Sequence, residues 1–163
     1  PEAYGKFLCG VFDVYYRDGV NGDYTRERLF DDYIHMAMGM PAGTCATSGS
    51  CGAYFVVEGD GTVYPCDFYC LDEWKMGRIG EQSIPELANS EKARLFLQQG
   101  ERKPDACAAC RWYSLCHGGC KRDWVENDGK LENYSCPAFK EFFAYAESRI
   151  LEIARAEAEY YRR

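Results

Sequence analysis

The sequence predicts an α+β fold: a small cysteine-rich domain with a β-hairpin, metal-binding loops and flanking helices. Three observations predict it. Ten cysteines stand in 163 residues, against two histidines, and Cys107, Cys110, Cys116 and Cys120 read C-x2-C-x5-C-x3-C. Two strand-forming runs around Gly59-Asp60-Gly61 read as a hairpin over 53–66. From Pro137 onward, apolar residues recur at three- and four-residue steps, as on a long amphipathic helix.

Composition sets the outer limits. A chain of 163 residues is one compact domain or a little more. Hydrophobic residues at 47% and charged residues at 28% make an ordinary globular balance. No apolar run approaches the length of a membrane span. A net charge of −7 lacks the basic footprint of a nucleic-acid binder. Neither a membrane nor nucleic acid is therefore expected as a partner. The opening residues, PEAYGK, carry no basic-then-apolar leader, so a cytoplasmic location is expected; they also lack an initiator Met, as a fragment would.

The elements follow in order. Residues 1–23 read as the end of something larger, with the apolar stretch 7–12 a buried strand or helix. Leu29, Phe30, Tyr33, Ile34 and Ala37 predict a helix over 25–38, stopped by Gly39-Met40-Pro41. Met36, Met38 and Met40 read as packing residues. In the hairpin, Pro65 ends the second strand so that Cys66 leaves the ladder. The glycine-containing stretch 74–80 lacks the context of a phosphate loop and reads as a connector. Ser83-Ile84-Pro85-Glu86 opens a helix running to about residue 99, where Gly100 ends it, with Leu87, Phe96 and Leu97 as its buried face. Residues 125–130 read as a loop with a turn signal. In the last helix Phe139, Phe142, Phe143, Ala146, Ile150, Ile153 and Ala154 form the apolar stripe.

Ten cysteines admit disulfides, zinc sites or iron–sulfur clusters. Disulfide frameworks belong to short secreted chains, whereas four thiols within fourteen residues, two residues and three residues apart at either end, suit a metal centre. Gly118-Gly119 lets backbone amides come close to sulfur there. Cys45, Cys51 and Cys66 form a looser group, and Cys136 stands where the last helix begins. Zinc and iron–sulfur both accept four thiolates, so ligand type leaves both open. His117 is a ligand candidate in a zinc reading and otherwise a surface neighbour of the site. Two four-thiolate sites use eight cysteines and leave Cys9 and Cys70.

In order the pattern is C-x5-C-G…G-x-V-Y-P-C-D…C-x2-C-x5-C-x3-C…C, carried by Cys45, Cys51-Gly52, the stretch 61–69, Met76-Gly77-Arg78-Ile79 and the run 107–120. It resembles the SPASM auxiliary-cluster domain of radical S-adenosylmethionine enzymes, and among them the anaerobic sulfatase-maturating enzymes. The resemblance spans roughly residues 30–143. It implies two [4Fe–4S] clusters, the first on Cys45, Cys51, Cys66 and Cys120, the second on Cys107, Cys110, Cys116 and Cys136. Full cysteine ligation suits electron transfer. In these maturases a 5′-deoxyadenosyl radical takes hydrogen from the Cβ of a sulfatase cysteine or serine. An aspartate beside a cluster cysteine then deprotonates the target, the clusters take the electron, and formylglycine results. The matching residue here is Asp67, a carboxylate fixed on the chain beside a buried cluster and so able to titrate high enough to act as a base; the alternative is a turn aspartate capping local amides.

Two departures stand out: Lys121 follows Cys120 where proline is frequent, and Cys70 adds a thiol near Cys66. The C-x3-C-x2-C motif that cleaves S-adenosylmethionine is absent; Cys66 and Cys70 are followed by Glu73, and Cys116 and Cys120 by Asp123. The chain alone is thus expected to be inactive. The implied organisation is a barrel remnant at 1–23, a linking helix at 24–44, the SPASM domain at 45–136 and a C-terminal helix at 137–163. S-adenosylmethionine and a third cluster belong to the missing part, with a sulfatase or other peptide as substrate and an external electron carrier as partner. The alternatives are a thioether-forming peptide-modifying enzyme and a zinc-stabilised binding module without a redox role.

Overall fold

The computed structural model describes residues 1–52 and 54–162; Ala53, the first residue of the expected hairpin, lies outside them. In chain order the elements are α1 (Glu2–Asn21), α2 (Arg28–Ala37), α3 (Cys45–Ser48), β1 (Val56–Val57), β2 (Thr62–Tyr64), β3 (Gly77–Arg78), α4 (Ile84–Ala88), α5 (Glu91–Glu101), α6 (Tyr113–Cys116), β4 (Trp124–Asn127), β5 (Lys130–Asn133) and α7 (Cys136–Tyr160). This α+β mixture, with helices at both ends and short antiparallel sheets, is the expected fold class. Among the described residues no helix is long and apolar enough to cross a membrane. The chain forms two compact units, Pro1–Gly49 with Lys103–Arg163, and Ser50–Arg102.

The first unit is built on aromatic packing. α7 runs against α1 and α2, and α2 also meets α6 and α3. The expected stripe supplies the α7 side of the core: Phe142, Phe143, Ala146, Ile150 and Ala154 are buried, with Phe139 and Ile153 at its margin. Phe12 meets Phe30 edge-on at 5.1 Å and Phe142 at 5.5 Å, and Tyr33 meets Phe143 at 4.8 Å. Such pairs add about 0.5–1.5 kcal/mol each beyond the area they bury. The stretch 7–12 is helical, inside α1, where Leu8 and Phe12 face the core. α2 starts at Arg28 because Glu27 caps it, its carboxylate accepting from the Phe30 amide at 3.0 Å. The residues expected as a loop at 125–130 are instead the β4–β5 hairpin, with Asp128 and Gly129 both at positive φ (49° and 74°). Asp-Gly supplies the two left-handed positions that a two-residue hairpin turn requires.

The second unit holds a three-stranded antiparallel sheet, β1-β2-β3, with Val56 opposite Tyr64 and Val63 opposite Gly77. The expected hairpin is there, with shorter strands, and the Asp60 carboxylate accepts from the Thr62 amide and hydroxyl at 2.9 Å to close its turn. The stretch expected as a connector supplies β3. The helix expected from Ser83 to residue 99 is two helices: Ser83 and Glu86 form a capping box for α4, and Ser90 caps α5 through the Ala93 amide. A second serine cap restarts the helix where a continuous one was expected. Gly100 lies within α5 and does not end it; a Cβ there would stand 2.7 Å from Cys51 Sγ. Tyr69, Trp74 and Phe96 pack edge-to-face at 5.1–5.8 Å around the buried side of α5.

Candidate metal centre

Residues 104–116 wind through consecutive tight turns: the amide of Cys107 donates to Pro104 O, that of Cys110 to Cys107 O, and that of Tyr113 to Cys110 O, at 2.9–3.2 Å. This puts Cys107 on one short turn, Cys110 just after it and Cys116 at the end of α6, while Cys136 begins α7 ahead of Pro137. All four thiols line one cavity of about 340 Å³, whose walls include Trp112, Asn133, Phe139 and Lys140.

Burial dominates the electrostatics. It pushes the Cys116 thiol up to about 11, against the Gly118 amide, which donates to this sulfur and favours the thiolate. Burial also raises Cys107 and Cys136, and negative charge on neighbouring thiols adds to it. Lys103 and Lys140 oppose the rise at Cys107, and Lys140 opposes it at Cys136. Thiols raised in this way favour the protonated form and ionise when a metal takes the place of the protons.

The turn between Cys116 and Cys120 is fixed from both sides. His117, Gly118 and Gly119 take positive φ in succession (50°, 90° and 68°). Gly118 lets the chain pass Cys107, since a Cβ there would lie 3.3 Å from Cys107 Sγ. The Gly118 carbonyl accepts from Trp124 Nε1 and from Asn133 Nδ2, both at 2.8 Å. Asn133 is buried, and its Oδ1 accepts from the Ser135 amide at 2.7 Å, one residue before Cys136. One side chain therefore ties the Cys116 turn to the start of α7. Sequence reading did not single out Asn133 or Trp124; the signal was the alternation in β5, which puts Asn133 on the inward face with Leu131. His117 is a neighbour rather than a lining residue: its Nδ1 lies 2.8 Å from Thr47 O, and its ring meets Tyr113 edge-on at 5.3 Å.

The remaining candidates are placed as follows. Cys45 opens α3, and the loop before it is held by Asp32, only 3% exposed, which accepts from the Gly43 amide and the Thr44 hydroxyl at 2.9 Å and from the Thr47 hydroxyl. Asp32 was also missed, because an acid inside an amphipathic helix reads as its solvent side. Cys120 is raised by burial, lowered by the Arg122 amide on its sulfur, and raised again by Cys45. Cys51 packs on Gly100. Cys66 follows β2, and its thiol donates to Asp67 Oδ1 at 3.3 Å. Asp67 itself is exposed at the first position of a short turn. Cys70 donates to Cys66 O at 3.7 Å and is raised by burial and by Glu58. Cys9 lies on α1, its thiol raised by burial.

Four thiols lining one cavity, with no other side chain required as a ligand, fit a thiolate-held metal centre. The Trp112 indole nitrogen, on a residue that lines the same cavity, is buried with no hydrogen-bond partner among the described residues.

Comparison with known proteins agrees. Residues 49–111 match the SPASM family model, described as an iron–sulfur cluster-binding domain. The chain is 39% identical over 94% of its length to a cysteine-type anaerobic sulfatase-maturating enzyme of Clostridium perfringens, and it covers 42% of that enzyme. It is 30% identical over 89% of its length to a serine-type anaerobic sulfatase-maturating enzyme of Bacteroides thetaiotaomicron, covering 36% of that one. A solved structure, native anSMEcpe with bound AdoMet and Cp18Cys peptide, superposes with a TM-score of 0.87 at 40% identity, covering 94% of this chain and 43% of the other. The chain thus spans less than half the length of the curated relatives it matches.

Proposed function

Proceeding from a chain that carries the SPASM iron–sulfur cluster-binding domain and is similar to sulfatase-maturating enzymes, we propose that it is the electron-accepting part of a radical S-adenosylmethionine enzyme that oxidises a sulfatase residue to formylglycine. The ring of four thiols around one cavity carries this reading. Cys107, Cys110, Cys116 and Cys136 hold one [4Fe–4S] cluster. Cys45, Cys51, Cys66 and Cys120 hold a second, an assignment that rests on the family resemblance alone. When bound, the clusters supply one-electron acceptors, and complete thiolate ligation leaves no iron open to substrate.

The chain's own residues do the rest. The Gly118 and Arg122 amides donate to the sulfurs of Cys116 and Cys120. The cavity's apolar wall includes the buried Phe143 and the half-buried Phe139. Asp67, fixed one residue after Cys66 and released from the Cys66 thiol's hydrogen bond when that sulfur gives up its proton to ligate iron, takes the proton from the target thiol or hydroxyl. Its exposure leaves it free to meet a substrate group. The target residue is cysteine, supported by the higher identity to the cysteine-type relative (39%) than to the serine-type one (30%). S-adenosylmethionine, the radical-generating cluster and contacts with an external electron carrier belong to the rest of the enzyme.

Anaerobic reconstitution with iron and sulfide tests the cluster assignment. The expected result is about eight irons and eight sulfides per chain with a broad absorption near about 400 nm. One or two zincs and no colour would sink it. For the target residue, the full-length enzyme should turn over a sulfatase-derived peptide bearing cysteine faster than its serine counterpart; the reverse order would overturn that assignment.

A further inference from the structure

His117 does not line the four-thiol cavity, yet its side chain is fixed from several sides. Its backbone is left-handed (φ 50°), and its amide donates to Tyr113 O at 2.8 Å. Its Nδ1 lies 2.8 Å from Thr47 O, and the ring meets Tyr113 edge-on at 5.3 Å. Gly49, at φ 70°, lies flush against it: a Cβ there would stand 2.5 Å from His117 Cβ. A carbonyl only accepts, so the Nδ1 of this pair carries the proton and donates. Thr47 belongs to α3, the four-residue helix that Cys45 opens, and so short a helix leaves its carbonyls to partners outside it. Thr47 is buried and its hydroxyl donates to Asp32, so the bond to His117 is made away from water. The turn around His117 bears a proposed ligand of each cluster, Cys116 and Cys120, and the charge of Cys45 acts on Cys120. From this geometry we infer that His117 is a positioning residue: its Nδ1–H, donating to Thr47 O, holds the Cys45 loop against the turn so that Cys45 and Cys120 serve one cluster. The inference rests on the two-cluster assignment above.

The consequence is one-sided. The Cys116 end of the turn is held without the imidazole, because Trp124 Nε1 and Asn133 Nδ2 both donate to Gly118 O. Asp32 shapes the Cys45 loop from α2, and Lys103 Nζ donates to Gly49 O, but neither bond reaches the turn that bears Cys120. Losing the imidazole donor should therefore loosen the first cluster's site and spare the second. Asn and Asp both tolerate the left-handed backbone. Asn Nδ2 can take the place of His Nδ1, whereas Asp presents only acceptors to Thr47 O. Asn is the conservative exchange and Asp the disruptive one.

The test reconstitutes the full chain as wild type, His117→Asn and His117→Asp, with Cys66→Ala and Cys116→Ala assigning the iron and the EPR signal of each cluster. His117→Asn should match wild type. His117→Asp should release the first cluster's iron to a chelator about tenfold faster, with the second cluster's release and signal unchanged. A bond that served folding alone would not single out one cluster. Unchanged release in His117→Asp, equal loss from both clusters, selective loss from the second, or an Asn variant as impaired as the Asp one would each overturn the inference and leave the cluster assignment standing. A wild-type chain that takes up no iron would overturn both. If His117→Asp does not fold, His117→Gly, which suits the left-handed backbone and removes the donor without adding an acceptor, makes the same comparison. Unchanged release from the first cluster there would again overturn the inference.

Discussion

The turns that carry Cys107, Cys110, Cys116 and Cys136 and the loops that carry Cys51, Cys66 and Cys70 place thiols by different means. In the first region each cysteine sits on or beside a helical turn whose backbone is hydrogen-bonded, and Asn133 and Gly118 join the arms. Behind them stands a core in which Phe142 and Phe143 are at most 1% exposed. In the second region Cys51 precedes the sheet, while Cys66 and Cys70 follow the three-residue strand β2 and bracket a single short turn. A cradle already shaped without its metal needs little ordering on loading; thiols on irregular chain must be ordered by the metal itself.

The largest expected effect tests that contrast directly. Cys116→Ala should remove about four of about eight irons, and Cys66→Ala the other four. During stepwise reconstitution the 107–136 set should fill first, because less chain has to be ordered there. Loss of all iron from either single variant, by iron analysis, would break the comparison, as would filling in the opposite order.

Next come the cores. Phe142, fully buried and in contact with Phe12, Phe30 and Tyr33, should cost about 3–5 kcal/mol on truncation to alanine. Val57, half-exposed on the edge strand of the small sheet, should change stability by less than about 0.5 kcal/mol as alanine. Urea unfolding followed by circular dichroism separates the two. Equal losses would mean that the aromatic core does not dominate stability.

A smaller effect concerns Asp32. Its carboxylate satisfies the Gly43 amide and the hydroxyls of Thr44 and Thr47 on either side of Cys45, so Asp32→Ala should cost about 1–3 kcal/mol by leaving those donors unpaired. Thermal unfolding of the apo chain reads the loss. Reconstitution then shows whether the iron held with Cys45 falls more than the iron held with Cys136.

These contrasts also mark what the sequence made legible. The α7 stripe, the α2 helix and the cysteine spacing could be read directly, because helical period and thiol spacing are local quantities. The β4–β5 hairpin was legible in principle: Asp128-Gly129 is a strong turn pair, but the flanking alternation was weak enough to pass for a loop. The restart at Ser90 was hidden because Asn89-Ser90 suits a helix break and a helix surface alike. Asp32 and Asn133 were not legible as site residues. Their roles depend on partners 12 to 15 residues away, and no one-dimensional period records that.

The smallest effect expected lies on the surface of the aromatic unit. Asp13 on α1 accepts from Arg149 at 2.7 Å and from Tyr145 at 2.8 Å on α7, and these bonds, the arginine first, hold its carboxyl below the usual aspartate range. A carboxyl with a lowered pKa in the folded state stabilises the fold above its unfolded value of about 3.9, and that contribution is lost as pH falls through the lowered value. Its side chain is 47% exposed, so solvent screens the pair, and Asp13→Asn should cost no more than about 0.5 kcal/mol at pH 7. The difference between wild type and variant should shrink steadily below about pH 4. Urea titrations at neutral and acidic pH measure it. A difference that persisted undiminished in acid would mean that Asp13 acts through packing rather than charge. Because α1 and α7 already meet through Phe12 and Phe142, an ion pair on their rim has little left to stabilise.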